Sequence, residues 1–367
     1  MCSNESGFLL FVLSFYSEPM KKKGLIFLLA AGHGLNDCIA GYFLGRLVQL
    51  KIDLLQISLG LFLYNLLAFG GQYPVALLLE KLGKPKQFML IAYGLNVCAV
   101  AVFFLSPQLS IVLAGIASAI YHVAGGSVCA EKNKALNIGL FAAPGIAGLI
   151  AGGYVAYEGI NITGLLLMAA SVFLILLMIL PIRRKQVINS NDLAGDKKFT
   201  LDQHDLIMIL LLTVISLRSV IWNVFQLIHE NNYQWLMAIA AAAFIGKIAG
   251  GWLADKIGWR LYTLISLAAA TPLITFFRKE MLLFCFGVGL LQSGIPATTA
   301  LLIQSMKGKT ERAIGLSFGT AIIAGAIVFY TPARNILLSN AVICSITAFM
   351  LLLMFYTRRN IMLAGSG

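Results

Sequence analysis

The chain alternates long apolar runs with short polar ones. Runs of about 20 residues, each able to cover roughly 30 Å of hydrocarbon at about 1.5 Å per residue, fall near 25–48, 53–79, 87–105, 109–129, 135–156 and 163–182. A second set falls near 206–228, 234–254, 260–277, 281–305, 312–332 and 337–357. The longest polar segment, RRKQVINSNDLAGDKKFTLDQHD from Arg183 to Asp205, separates the two sets. This pattern predicts an all-α integral membrane protein of twelve transmembrane helices in two pseudo-symmetric six-helix bundles, 20–182 and 206–367, joined by a linker over 183–205. The early run GFLLFVLSFY is too short to span and lacks the basic start of a signal peptide. Met20, followed by Lys21, Lys22 and Lys23, makes a better beginning, so residues 1–19 are set aside as an over-extended start.

Internal repetition supports the division. LEKLGK at Leu79–Lys84 reappears as ADKIGW at Ala254–Trp259, and NIGLF at Asn137–Phe141 as AIGLS at Ala313–Ser317, offsets of 175 and 176 residues. Two matches at nearly one offset, both at corresponding span ends, indicate a tandem duplication with parallel halves, a design common in secondary transporters. Charge fixes the orientation. With the N-terminus in the cytoplasm, 20 Lys and Arg residues fall on that side, and Lys51, Arg278, Lys279 and Arg334 on the other. By the positive-inside rule both termini are then cytoplasmic, as in a bacterial inner membrane.

Composition agrees, with 59% hydrophobic and 11% charged residues, against about 25% charged in a soluble domain. The net charge of +12 is accounted for by topogenic clusters between the spans and implies no nucleic acid. The six cysteines are scattered singly, without CxxC or Cys/His spacing, so neither a disulfide framework nor a metal site is indicated. No phosphate-cradling loop is present, so ATP-driven pumping by this chain is unsupported, and no cofactor is expected.

The loop between the eighth and ninth spans, GGWLADKIGWR at Gly250–Arg260, resembles the G-x-x-x-D-[KR]-x-G-x-[KR] motif of the major facilitator superfamily through Gly251, Asp255, Lys256, Gly258 and Arg260. In the first-half copy Glu80, Lys81 and Gly83 match, Ala76 replaces the first glycine, and Pro85 displaces the final base to Lys86. A carboxylate there can face the positive N-terminus of a neighbouring helix. The resemblance implies that Asp255 and Glu80 latch the halves together when the transporter faces outward; topogenic charge at a tight turn is the plainer alternative. In the fifth span, Gly139, Pro144, Gly145, Gly148, Gly152 and Gly153 predict a bent, closely docked helix. That stretch loosely resembles the glycine-proline motif of proton-coupled antiporters in the same superfamily.

The candidate chemistry lies where the membrane makes it costly. GHGLNDCIAG places His33, Asn36 and Asp37 midway along the first span, where a carboxylate costs roughly 2.5–3.5 kcal/mol on insertion scales. His33 and Asp37 share one helical face by their i,i+4 spacing. His122 and Arg218 lie about halfway along the fourth and seventh spans, so all four could share one aqueous chamber, with Arg218 balancing Asp37 or attracting an anionic group. His33 and His122 could relay a proton or bond the cargo. A static Asp37–Arg218 pair and satisfied interior histidines are the alternatives. Lys247 and Arg46 rank lower because both can snorkel. Asn65, Gln72, Asn96, Asn223, Gln226, Gln292 and Thr298 are further cavity candidates that serve equally as interhelical glue, and Pro296 marks a kink or gate.

His33, Asn36 and Asp37 with Ser118, Tyr121 and His122 resemble the helix-one and helix-four signatures of fosmidomycin-resistance-type exporters of the superfamily, although Val123 and Ala124 replace the proline and acid that follow the histidine there. The resemblance implies proton-coupled export of a small organic molecule by a monomer in the lipid bilayer. Protons would use Asp37, His33 and His122; cargo would meet Asn36, Tyr121, Arg218, Asn223 and Gln292. Symport or facilitated uptake is an alternative, as are a non-transporting receptor and an intramembrane enzyme. The last lacks a serine or cysteine nucleophile in any recognisable motif.

Overall fold

The computed structural model describes residues 22–50, 54–182, 203–229, 232–320, 322–323 and 334–364. Residues 1–19, most of the predicted linker and the outer part of the predicted eleventh span lie outside the described residues.

Every regular element among the described residues is helical. The first half comprises α1 (Lys22–Gln49), α2 (Leu54–Asn65), α3 (Gln72–Leu82), α4 (Pro85–Val102), α5 (Pro107–Ala130), α6 (Ala135–Tyr157) and α7 (Thr163–Ile179). The second comprises α8 (Gln203–Ile228), α9 (Tyr233–Ile257), α10 (Trp259–Phe276), α11 (Met281–Ser305), α12 (Thr310–Gly315), α13 (Arg334–Leu337) and α14 (Asn340–Ala364). α2 and α3 form one span, broken by a π-helical turn at Leu66–Gly70, and a second π turn, Leu316–Thr320, follows α12. Among the described residues nine helices are long and apolar enough to cross a bilayer. α7, α10 and the α12 segment complete the predicted twelve, and α8 starts at Gln203, inside the segment read as linker.

Helix starts follow their sequences. Pro85 and Pro107 occupy first-turn positions, where a missing N–H costs nothing, and the Ser106 hydroxyl accepts the Leu109 N–H to cap α5. Gly83 and Gly258 end α3 and α9 at φ 64° and 94°, the backbone region that L side chains avoid. The two glycines stand 175 positions apart, at the repeat offset read from the sequence.

Within the first half α1 packs along the length of α6, α4 on α5 and α7, and α5 on α1. Within the second, α11 packs on α8, α9 and α10, and α14 on α8 and α10. The α1–α6 seam is built from glycine. A Cβ at Gly148 would overlap the Gly34 carbonyl, one at Gly152 the Cys38 carbonyl and one at Gly41 the Leu149 carbonyl, so these backbones touch because no side chain stands between them. Pro144, inside α6, lies against Gly34. The halves meet where α6 contacts α9 and α11, where α12 contacts α3 and α5, and where the two π turns face one another.

Candidate functional site

Close docking of α1 on α6 brings the middle of the first span under the Phe141 carbonyl. His33 Nδ1 donates to that oxygen at 2.7 Å, and its ring stacks on the Phe141 ring with centroids 4.6 Å apart. On α5, His122 Nδ1 donates to the Ser118 carbonyl at 2.7 Å and lies 3.1 Å from the Ser118 hydroxyl. The two imidazoles meet edge to face, with Nε2 to Nε2 at 2.8 Å. Asp37 Oδ2 sits 3.2 Å from His33 Nε2 and 3.8 Å from His122 Nε2. The other carboxylate oxygen accepts the Asn36 amide at 2.9 Å, and Asn36 in turn accepts from Asn96 on α4 at 2.9 Å. Gly145 makes the space for this group: a Cβ there would lie 2.5 Å from His33 Nε2 and 2.6 Å from Asp37 Oδ2.

The polar chain therefore crosses four spans, from Tyr64 through Ser118 to His122, His33 and Asp37, and on to Asn36 and Asn96. Asp37 keeps 13% of its side chain accessible, whereas His33 and His122 are buried. The three side chains also bring nitrogen and oxygen ligand atoms within 4.8 Å of one another, a grouping the linear spacing of histidines and cysteines does not reveal.

Two sequence expectations are corrected. Arg218 does not pair with Asp37. It is 1% exposed inside the second half, donating from Nη1 to the Thr298 hydroxyl at 3.1 Å and lying against Gly294, with Nε unpartnered. Halfway along a span fixes depth but not direction, and Arg218 points into its own bundle. Lys247 does not snorkel. It is buried, and its ammonium crosses the seam to within 3.4 Å of the Ala142 carbonyl on α6, inside electrostatic reach of Asp37 and His122. Lys247 is thus the second-half cation facing the first-span cluster. Arg46, by contrast, bonds Gln49 near the end of α1 as a snorkelling side chain does.

The remaining candidates divide by position. Asn36 and Tyr121 are fully enclosed in the wall, the latter donating to the Leu29 carbonyl, so both shape the site from behind. Asn223 and Gln292 are buried in the second half, and Gln72 bonds the Ala68 carbonyl. Asn65 bonds the Leu61 carbonyl of its own helix. The side chain of Gln226 lies outside the described residues.

At the basic end the Asp255 carboxylate accepts the Ala135 and Leu136 N–H groups at 2.9 and 3.0 Å and the Trp259 indole at 2.8 Å, capping the N-terminus of α6 from the other half. Gly251 permits that approach, since a Cβ there would lie 2.6 Å from the Ala135 carbonyl. Reciprocally, Glu80 at the end of α3 pairs with Arg312 in α12. Lys256 sits 3.7 Å above the Trp252 ring, outside the bridging contacts. Arg260 lines a cleft of about 830 Å³ with Lys132, Lys134, Asp255 and Gln304. Gly139 packs on the Lys247 backbone of α9, across the seam, while Gly145 and Gly148 pack on α1.

No curated protein matches the chain. Among solved structures it is similar to a Major Facilitator Superfamily transporter, FucP, in the outward conformation, with TM-score 0.66 and 14% identity over 91% of this chain and 96% of that one. A substituted form of the E. coli fucose:proton symporter FucP gives TM-score 0.65 at 15% identity, with the same coverages. The family model for the Major Facilitator Superfamily matches residues 24–329. With two six-helix halves, reciprocal carboxylate contacts between them and a titratable cluster at mid-membrane depth, the chain belongs to the Major Facilitator Superfamily of membrane transporters.

Proposed function

We propose that this transporter exports a small organic molecule carrying an anionic group, driven by protons entering at Asp37, His33 and His122. The observation that carries the reading is the hydrogen-bonded cluster itself, midway along the first span, with Asp37 its least buried member and Lys247 facing it from the other half. A buried ionisable group at that depth is costly enough to require a use. Arg218 supports the anionic cargo: among the described residues no carboxylate pairs with it, and a buried, unpaired guanidinium favours an anion able to reach it. Asn223 and Gln292, buried in the same half, supply neutral partners for the rest of the cargo.

In this reading the basic end faces the cytoplasm. The Asp255 and Glu80 contacts hold that end shut while the opposite side loads protons, and parting of the halves there opens the cytoplasmic side to cargo. Export as the direction follows from the first- and fourth-span resemblance to fosmidomycin-resistance exporters. Proton-driven uptake is the second reading, favoured by the fold's likeness to a fucose:proton symporter.

Everted vesicles containing the protein, preloaded with a pH gradient and presented with a panel of small carboxylates, phosphonates and phosphate esters, test the proposal. Export predicts partial collapse of the gradient by at least one anionic compound, with no response in Asp37→Asn vesicles. Uptake predicts the response in right-side-out vesicles instead, and a neutral or cationic compound as the sole effective one would remove Arg218 from cargo binding.

A further inference from the structure

We infer that the coupling proton of the state described here sits between the two histidines, shared by His33 Nε2 and His122 Nε2, and that Asp37 serves as its counter-ion. The inference rests on the proton-coupled reading above and names the group that holds the proton.

The argument is one of donor and acceptor accounting. Each Nδ1 lies 2.7 Å from a backbone carbonyl, Phe141 for His33 and Ser118 for His122. A carbonyl can only accept, so both Nδ1 atoms carry hydrogen. Two neutral imidazoles anchored in this way present a bare lone pair at each Nε2. Yet those nitrogens are 2.8 Å apart, a hydrogen-bond distance at which two lone pairs repel. One proton between them turns the repulsion into a charge-assisted N–H···N bond and leaves the pair with one positive charge. The Asp37 carboxylate, 3.2 and 3.8 Å from the two nitrogens, neutralises it, and Asn36, itself held by Asn96, fixes the carboxylate's other oxygen. The assembly holds one proton with no net charge, which a low-dielectric site tolerates best.

The other titratable groups facing the pair are Cys38 on the same span, Tyr64 from α2, Tyr93 from α4, Tyr121 beside His122 on α5, and Lys247 from α9. From α6 come the Phe141 ring and Gly145, neither of which titrates. Lys247 is the one group among these that repels the shared proton and attracts Asp37, and it belongs to the opposite half. Separation of the halves at the α6–α9 seam withdraws that repulsion, which links proton occupancy to the relative position of the bundles.

The chain holds four histidines, so ¹⁵N-histidine labelling of the full-length protein in nanodiscs resolves the pair, with His33→Gln and His122→Gln assigning the signals. The expected spectrum shows both Nδ1 atoms protonated throughout and one further proton distributed over the two Nε2 atoms, lost in a single step on raising pH. Either glutamine variant should abolish that step, and the double variant should show no further change, because the proton belongs to the pair. Asp37→Asn, which leaves both rings in place, should move the step by a unit or more. Two independent titrations, an unprotonated Nδ1, or a stoichiometric transition metal in the purified protein occupying the facing lone pairs would overturn the inference. Wild-type vesicles that exchange protons for cargo while the rings titrate independently would overturn it and leave the transport proposal standing.

Discussion

Substituting Asp255 by asparagine keeps the shape of the side chain and removes its charge, so it isolates the electrostatic part of the contact between the halves. In the structure the carboxylate accepts two backbone N–H groups, at 2.9 and 3.0 Å, from the first turn of α6. Asparagine retains one acceptor oxygen and turns an NH₂ toward the second donor, so one bond becomes a donor–donor clash. A charged hydrogen bond contributes about 1.5–3 kcal/mol, and a carboxylate at a helix N-terminus about 0.3–1 kcal/mol. Asp255 stands at an exposed end, where water screens both contributions. A net loss of about 1–2 kcal/mol is expected, and since about 1.4 kcal/mol is tenfold, the conformer closed at the basic end should lose a factor of about 5–30 relative to the open one. Spin labels at Lys132 and Lys307, exposed positions on loops of opposite halves, report the distance across that end in nanodiscs. Asp255→Asn should shrink the short-distance population and lengthen the mean. An unchanged distance distribution would refute the idea that this carboxylate holds the halves together.

Glu80→Gln should act in the same direction but more weakly, about 0.2–1 kcal/mol, because Glu80 and Arg312 keep 28% and 34% of their side chains accessible; an effect larger than that of Asp255→Asn would reverse the ranking. Asp37→Asn should leave expression and thermal unfolding in detergent near wild type while eliminating gradient-driven accumulation, and retained accumulation would exclude the carboxylate from coupling. Arg218→Met removes a buried charge with one neutral partner, so the melting temperature should hold or rise while movement of anionic cargo falls at least tenfold; a clear drop in melting temperature would show that the guanidinium is structural. Gly148→Ala forces a methyl group into the Gly34 carbonyl and should cost about 1–3 kcal/mol, measured as reduced thermal stability, and a neutral result would mean that α1 and α6 part readily.

Depth in the membrane was legible because it is a matter of counting. At about 1.5 Å per residue, the positions of His33, Asp37, His122 and Arg218 along their spans follow from the run boundaries, and the i,i+4 spacing put His33 and Asp37 on one face. Azimuth was not legible. Whether Arg218 or Lys247 faces the first span depends on which stripe of α8 or α9 is buried against which neighbour, and runs this apolar carry no amphipathic stripe to show it. The interior of a bundle and the surrounding lipid are equally apolar, so the sequence constrains the seam through its glycines instead. Those glycines were visible, but not their partners. Gly148 touches Gly34 and Gly139 touches α9, a difference set by the rotation of α6 alone. Glu80 was read as a latch by repeat; its partner Arg312 looked like one topogenic charge among many, because pairing at 232 residues' separation leaves no local trace.

The facing π turns at Leu66–Gly70 and Leu316–Thr320 each contain one residue more than an α-helix needs. Gly319 lies against the Phe69 carbonyl and Gly70 against Ile323, so each surplus residue is stored at the contact between the two halves. Passing that residue one turn along the helix would rotate the turn it crosses by about 100° and shift it by about 1.5 Å, leaving the helix on either side in place. Both spans thereby carry slack in their own backbone, and the two bundles can exchange one set of touching side chains for another without bending either helix or breaking more than a turn of hydrogen bonds.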